Sequence, residues 1–274
     1  MQPLIKSNSN SKESLPLPIL ARMDCTSAAA KRYKYLRRIL RFEQMDFEFA
    51  FWQMIYLFIA PQKVYRNFHY RKQTKAQFAR DDPAFLVLLA VWLCVSSVGF
   101  AFVLQLGFVG FLKFFLYVVL VDCIGVGLLI ATLLCITFIA IPTEFNLHRF
   151  VSNKWMLRPA CRDQDVEWGY AFDVHLNAFF PLLIILHVFQ LFFYHVLISQ
   201  PWFISVLFGN SLWLVAIGYY IYITFLGYNC LPILHRTQAL LYPLSALFLI
   251  YVASLVTTWN ISKTIMDFYQ YRVL

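Results

Sequence analysis

Five long apolar runs dominate the chain, and each has about the twenty residues that a helix needs to cross the hydrocarbon core of a bilayer. They cover residues 84–106, 112–134, 172–197, 203–226 and 239–259. Of the 274 residues, 61% are hydrophobic and only 14% are charged, whereas soluble domains carry about 25% charged residues. A secreted soluble protein, a disordered regulator and an all-β domain are therefore excluded. We predict an all-α polytopic membrane protein, a bundle of five transmembrane helices.

The region before the first apolar run divides into two parts. Residues 1–30 are rich in Ser, Asn, Lys and Pro without any apolar period, which predicts a disordered cytosolic tail. Residues 31–83 are basic and aromatic, and within them residues 42–60 place apolar side chains at helical spacing, which predicts an amphipathic helix. Acidic residues in its first turns make it a poor span, so we expect it to lie at the interface or pack beneath the bundle 84–260.

Neither end of the chain is predicted to add a further span. The apolar stretch 15–21 is short and contains Pro16 and Pro18, unlike the longer apolar core of a signal peptide. The first long run should therefore act as its own insertion signal. Residues 261–274 are predicted to be a lumenal tail.

The distribution of Lys and Arg predicts the orientation in the membrane. Residues 1–83 hold 15 of the 23 basic residues. With a cytosolic N-terminus, the loops between spans add Arg149, Lys154, Arg158, Arg162 and Arg236, which gives 15 + 5 = 20 on the cytosolic side. The opposite side holds Lys113, Lys263 and Arg272. The positive-inside rule then places the N-terminus in the cytosol and the C-terminus in the lumen.

Two basic-aromatic blocks in residues 31–83 are candidates for an interaction surface. Their cationic members are Lys31, Arg32, Lys34, Arg37, Arg38 and Arg41 in the first block, and Lys63, Arg66, Arg71 and Lys72 in the second. Clustered cations beside a membrane attract anionic lipids, and cations interleaved with Tyr and Phe also suit single-stranded RNA. A docking surface for a cytosolic protein is the third interpretation. No RNA-binding signature is present, so lipid or protein contact is favoured.

Polar residues inside the apolar runs form a second candidate site. On a helical wheel Asp173, Asn177, His187 and His195 share one face of the third run, with His175 on the opposite face, and Asp122 lies near the middle of the second run. Ionisable groups in a bilayer face protein, water or a partner. We predict an intramembrane polar seam of Asp122, Asp173, Asn177 and His187 that holds these two helices together. Transport of ions or protons and intramembrane hydrolysis are the alternatives.

No cofactor, metal or disulfide is expected. The six cysteines contain no CxxC pair, and no cluster of His and Cys has the spacing of a metal site. No nucleophile elbow, HExxH or phosphate-binding loop is present, so no catalytic residue is predicted.

Several long strings of the sequence resemble a known family. They are KRYKYLRR at 31–38, QMDFEFA at 44–50, VYRNFHYRKQTK at 64–75, ARDDPAFLVLL at 79–89, DVEWGYAFDVHLNAFFPLL at 165–183 and GYYIYITFLGY at 218–228. Together they resemble the uncoordinated-50 family of multi-pass Golgi membrane proteins, from about residue 29 to the C-terminus. Residues 136–149 depart from the family pattern, as about fourteen residues intervene where the family has a short connection.

The resemblance implies a five-span Golgi membrane protein with a cytosolic N-terminus. It further implies a role in delivering nicotinic acetylcholine receptors to the cell surface and an association with Golgi machinery that activates Arf-type GTPases, such as Arf exchange factors. RNA binding and residence in the inner nuclear membrane are also attributed to the family. The leading hypothesis is a non-enzymatic trafficking protein; the alternative is a transporter that uses Asp122, Asp173 and His187.

Overall fold

A computed structural model describes residues 42–66, 80, 82–138, 156, 166 and 168–273. Helices account for nearly all of this part of the chain. Those of ten or more residues are α1 (Phe47–Ile59), α2 (Ala84–Val103), α3 (Phe108–Leu134), α4 (Trp168–Ile198), α5 (Phe203–Asn229), α6 (Thr237–Val256) and α7 (Ile261–Val273).

The predicted fold class is confirmed, because α2 to α6 are all long and apolar enough to cross a membrane. Their ends differ from the predicted ends by about four residues or fewer, the scatter that is usual where helices fray. Residues 136–138, which begin the segment that departs from the family pattern, continue the helix beyond α3. The rest of that segment, up to residue 149, lies outside the described residues.

Helix α1 packs against α2 and α4. Asp46 caps it, with its Oδ1 accepting from the Phe49 amide at 2.9 Å. The Asp46 amide in turn donates to Asp82 Oδ2 at 2.8 Å, just before α2 begins. Residues 42–44, which fall within the predicted helix, form a separate short 3₁₀ turn. The cap therefore fixes both the start of α1 and its attachment to α2.

Helix α4 occupies the centre of the bundle. It contacts α1, α3 and α5, and it is the most buried of the five spans. Its buried face includes Leu176 and Leu183, which pack in a common core with Leu89 and Leu93 of α2. The last span, α6, contacts α5 and otherwise remains at the edge of the described bundle. Because consecutive spans run antiparallel, the bundle has two ends. We call them the α1 end and the α7 end, after the helix that packs at each.

Two of the spans contain π-helical segments, in which each backbone hydrogen bond spans one residue more than in an α-helix. In α3 the segment is Val118–Gly125, and in α4 the segments are Ile184–Phe189 and Tyr194–Ile198. The chain runs through Pro181 as part of one helix, and the first π segment of α4 follows three residues later. Such segments adjust the helix where a regular hydrogen-bond ladder is interrupted.

Most of the predicted lumenal tail, residues 261–274, forms the helix α7. In α7 the side chains of Ser262, Met266 and Val273 are buried on one face against the bundle. Charged residues between them lower the hydropathy of the segment, which is why a search for long apolar runs predicts a tail there. The helical spacing of its buried side chains is the signal that such a search overlooks.

Candidate functional site: two buried polar clusters

The four residues of the predicted seam lie in two separate clusters. Asp173 and Asn177 belong to an α1-end cluster with Gln53, Tyr65 and Arg80. Asp122 and His187 belong to an α7-end cluster with Ser96, Phe100 and Tyr269.

Asn177 is the centre of the α1-end cluster. Its Oδ1 accepts from Gln53 Nε2 of α1 at 3.0 Å and from the Arg80 guanidinium, while its Nδ2 donates to the Tyr65 hydroxyl at 3.3 Å. Only 1% of Gln53 and 2% of Asn177 is exposed. Because a buried amide without partners costs about 1–3 kcal/mol, these bonds hold α1 against α4.

Arg80 and Asp173 extend the same cluster. The Arg80 amide donates to Asp173 Oδ2 at 2.7 Å, and its guanidinium packs over the ring of Phe85 at 4.1 Å. Burial raises the pKa of the Tyr65 phenol well above its ordinary value, so its hydroxyl remains protonated. The cluster thus consists of two amides, a guanidinium, a carboxylate and a neutral phenol. These groups hydrogen-bond to one another and so hold the helices together.

Tyrosines of α5 hold the end of α1. The Tyr219 hydroxyl donates to the carbonyl of Phe58 at 2.7 Å, and Gln62 Nε2 donates to the Tyr222 hydroxyl at 2.6 Å. Tyrosine near a membrane boundary is by itself ordinary packing. Here Tyr219 also satisfies a carbonyl in the last turn of α1, where helices need donors.

The α7-end cluster joins α3 to α7. Tyr269 donates to Asp122 Oδ2 at 2.8 Å. The Tyr269 ring also packs edge-on against Phe100, whose ring lies 4.9 Å from that of His187. His187 Nδ1 is 3.5 Å from Ser96 Oγ. Burial, and then the neighbouring Asp122 carboxylate, raise the pKa of the Tyr269 phenol, which therefore serves as a donor.

The predicted pairing of the second and third spans through the seam residues is replaced by a different contact. His175, predicted to lie on the opposite face, places its Nε2 3.0 Å from the Cys123 carbonyl of α3 and its Nδ1 2.8 Å from the Tyr220 hydroxyl of α5. Gly127 permits this approach, because a methyl group there would lie 2.5 Å from His175 Cδ2. A single histidine thus bridges three spans.

Two other predicted contact residues, Lys63 and Arg66, are exposed beside α1. Lys63 Nζ lies 5.2 Å from the centroid of the Tyr56 ring. The remaining members of the two basic-aromatic blocks lie outside the described residues; they are Lys31, Arg32, Lys34, Arg37, Arg38, Arg41, Arg71 and Lys72. Their role as a contact surface stays a prediction.

The residues that sequence reasoning missed are Gln53, Tyr65, Arg80 and Tyr269. Gln53 carried a recognisable signal, because it is a polar residue on the stripe of α1 that also contains Ala50, Met54 and Leu57. No group of three or more His, Cys, Asp or Glu side chains within the described ranges could hold a metal ion.

These features define a class of protein, a polytopic helical membrane protein with a shorter helix, α1, anchored to its bundle. The chain belongs to the UNC-50 family, whose model matches residues 35–270. It is 62% identical to the Protein unc-50 homolog of Homo sapiens over 247 residues, which is 90% of each chain. It is 58% identical to the Protein unc-50 homolog B of Xenopus laevis, over 98% of this chain and all of the relative. The Drosophila melanogaster homolog is 57% identical over 94% of this chain and 89% of its own. No solved structure matches the chain.

Proposed function

We propose that the chain is a non-enzymatic Golgi membrane protein that acts in protein trafficking, with residues 31–83 serving as a cytosolic platform. The observation that carries this proposal is the arrangement of α1. One face of the helix is anchored through Gln53 to the bundle, while Phe51, Ile55 and Ile59 are 52%, 41% and 74% exposed on the other face. A rigidly held helix with an outward apolar stripe suits contact with the bilayer surface or with a protein docked there.

Exposed cations beside the stripe support contact with anionic lipids. Lys63 and Arg66 lie directly after α1, and each cation near an anionic surface contributes about 1 kcal/mol of attraction. The resemblance to the uncoordinated-50 family supplies the rest of the proposal. It implies an association with Golgi machinery such as Arf exchange factors, which we propose to dock on the platform, and it implies nicotinic acetylcholine receptors as cargo. RNA contact through the basic blocks and residence in the inner nuclear membrane are further proposals on the same basis.

The platform is tested by removing its two described cations. We expect Lys63→Gln combined with Arg66→Gln to lower the enrichment of a fluorescent anionic lipid around a dye at the α1 end of the reconstituted protein by about thirtyfold. The effect should shrink at high salt, since screening weakens surface attraction. Energy transfer between the dye and the labelled headgroup measures the enrichment.

The matched control removes the same charge at the opposite end of the bundle, with Lys263→Gln and Arg272→Gln. This variant should leave lipid enrichment at α1 unchanged. Equal losses of lipid enrichment in both variants, or enrichment that does not change with salt concentration, would contradict an electrostatic platform. In cells that lack the endogenous protein, the α1-end variant should also reduce Golgi recruitment of the Arf exchange factor and surface delivery of the receptor.

Orientation is tested separately with protease-accessible tags. We expect a tag before Met1 to face the cytosol and a tag after Leu274 to face the lumen, because the described residues contain five spans and the basic residues favour this direction. Selective permeabilisation of the plasma membrane should expose the first tag only. Exposure of both tags to the same degree would refute the orientation.

A further inference from the structure

Asp122 is an acidic residue in the middle of a membrane span. It lies fourteen residues after Phe108 in α3, or roughly 20 Å along a helix that rises about 1.5 Å per residue. Its Oδ2 accepts from Tyr269. Within the described part of the chain no other hydrogen bond reaches this carboxylate, and the side chain is only half-buried. One carboxylate oxygen is therefore available to a group from outside the bundle.

The surface around this oxygen is apolar and exposed. On α3, Val121 is 42% exposed and Leu129 is 60% exposed. Gly125 lies one turn from Asp122, and a methyl group built there would meet only the Leu120 backbone of the same helix. This face of α3 therefore combines the Asp122 carboxylate, the apolar side chains of Val121 and Leu129, and Gly125, which has no neighbour from the rest of the bundle.

These are the ingredients of a contact between transmembrane helices. Small residues let two helix backbones approach closely, and polar side chains supply hydrogen bonds between helices. An acidic group at mid-depth is costly unless it is paired. A partner that completes the pairing would recover part of this cost.

We propose that Asp122 and Gly125 form an intramembrane docking site for a transmembrane helix of another membrane protein that carries a lysine or arginine at mid-depth. Charge complementarity selects this partner. A second copy of the chain, related by a two-fold axis along the membrane normal, would bring two Asp122 carboxylates together, and like charges repel. The inference rests on the proposed trafficking function and gives the chemistry by which membrane cargo would be recognised.

The test uses the full chain in vesicles with synthetic transmembrane peptides. The peptides are Leu/Ala helices that differ only in a central Lys, Gln or Leu, and energy transfer reports their capture. We expect capture in the order Lys, Gln, Leu, and we expect Asp122→Asn to weaken capture of the Lys peptide about tenfold, in line with one polar contact between membrane helices.

Two variants control for indirect effects. Asp267→Asn removes an exposed acid from α7 and should leave capture unchanged. Tyr269→Phe removes the internal donor but keeps the carboxylate, and should capture the Lys peptide at least as well as the natural protein. Thermal unfolding of each variant verifies that it is folded.

Equal capture of the Lys and Leu peptides, or full capture by a folded Asp122→Asn protein, would overturn the docking site. So would self-association of the chain that Asp122→Asn abolishes. The proposed function is measured independently by receptor delivery in cells. If receptor delivery is normal but no peptide is captured, only the docking-site proposal is refuted. If delivery fails but peptide capture is intact, only the proposed trafficking function is refuted.

Discussion

Replacing Gly127 by alanine is expected to destabilise the protein strongly, because the side chains around this glycine leave no room for a methyl group. The added Cβ would lie 2.5 Å from His175 Cδ2 and 2.9 Å from Phe172 Cε2. Either α3 and α4 separate or His175 leaves the Cys123 carbonyl and the Tyr220 hydroxyl. Overpacking and a stranded buried polar group together predict a loss of about 3 kcal/mol. Thermal unfolding of the purified protein in detergent measures the change.

Gly218→Ala provides the matched control in a neighbouring span. A methyl group there meets only Leu244 Cδ2, at an ordinary 3.8 Å. Alanine also lowers the conformational entropy cost of forming a helix, so this variant should be neutral or more stable by up to about 1 kcal/mol. Similar unfolding temperatures for the two variants would show that His175 does not set the distance between α3 and α4.

Asn177→Leu is expected to release α1 from the bundle. The change leaves Gln53, Arg80 and Tyr65 without the amide that they share, and we expect a loss of about 2–4 kcal/mol. Hydrogen exchange of the α1 amides should accelerate far more than exchange in α5, because the lost contacts belong to α1. The readout is therefore local opening as well as global stability.

A double-mutant cycle identifies the contact responsible. Adding Gln53→Leu to Asn177→Leu should recover part of the loss, since the stranded Gln53 amide is then replaced by an apolar side chain. Gln200→Leu is the matched control, because this glutamine donates to the His195 carbonyl at 3.0 Å, away from α1. If the effects of Gln53→Leu and Asn177→Leu simply add, the two residues act independently and the α1-end cluster does not anchor the helix.

The spans were predictable from sequence because hydropathy over about twenty residues is set by the bilayer and not by packing. The positions of polar residues around a span were less predictable. His187 and His195 share a face if every residue turns by the α-helical angle, yet His187 is buried and His195 is exposed. Both lie in π segments of α4. Each π segment rotates all later side chains around the helix axis. No simple periodicity in the sequence predicts where such a segment occurs.

The clusters themselves depended on contacts between distant parts of the chain. Asn177 meets Gln53 across 124 positions, and Asp122 meets Tyr269 across 147. The sequence indicated that Asp122 and Asn177 needed partners, because buried polar groups rarely lack them. It could not indicate which partners, since this choice follows from how α1 and α7 pack on the bundle.

The placement of α7 has a consequence for biosynthesis. Asn210 of α5 accepts from the Ile261 amide at 3.0 Å and donates to the Trp259 carbonyl at 2.8 Å. Asn260 Nδ2 reaches the Ile198 carbonyl at the end of α4, also at 2.8 Å. The residues that bind these groups leave the ribosome after every span has been made. The third partner of Asn210, Ser254 Oγ at 2.9 Å, lies in the last span, so the Asn210 amide gains its partners only late in translation.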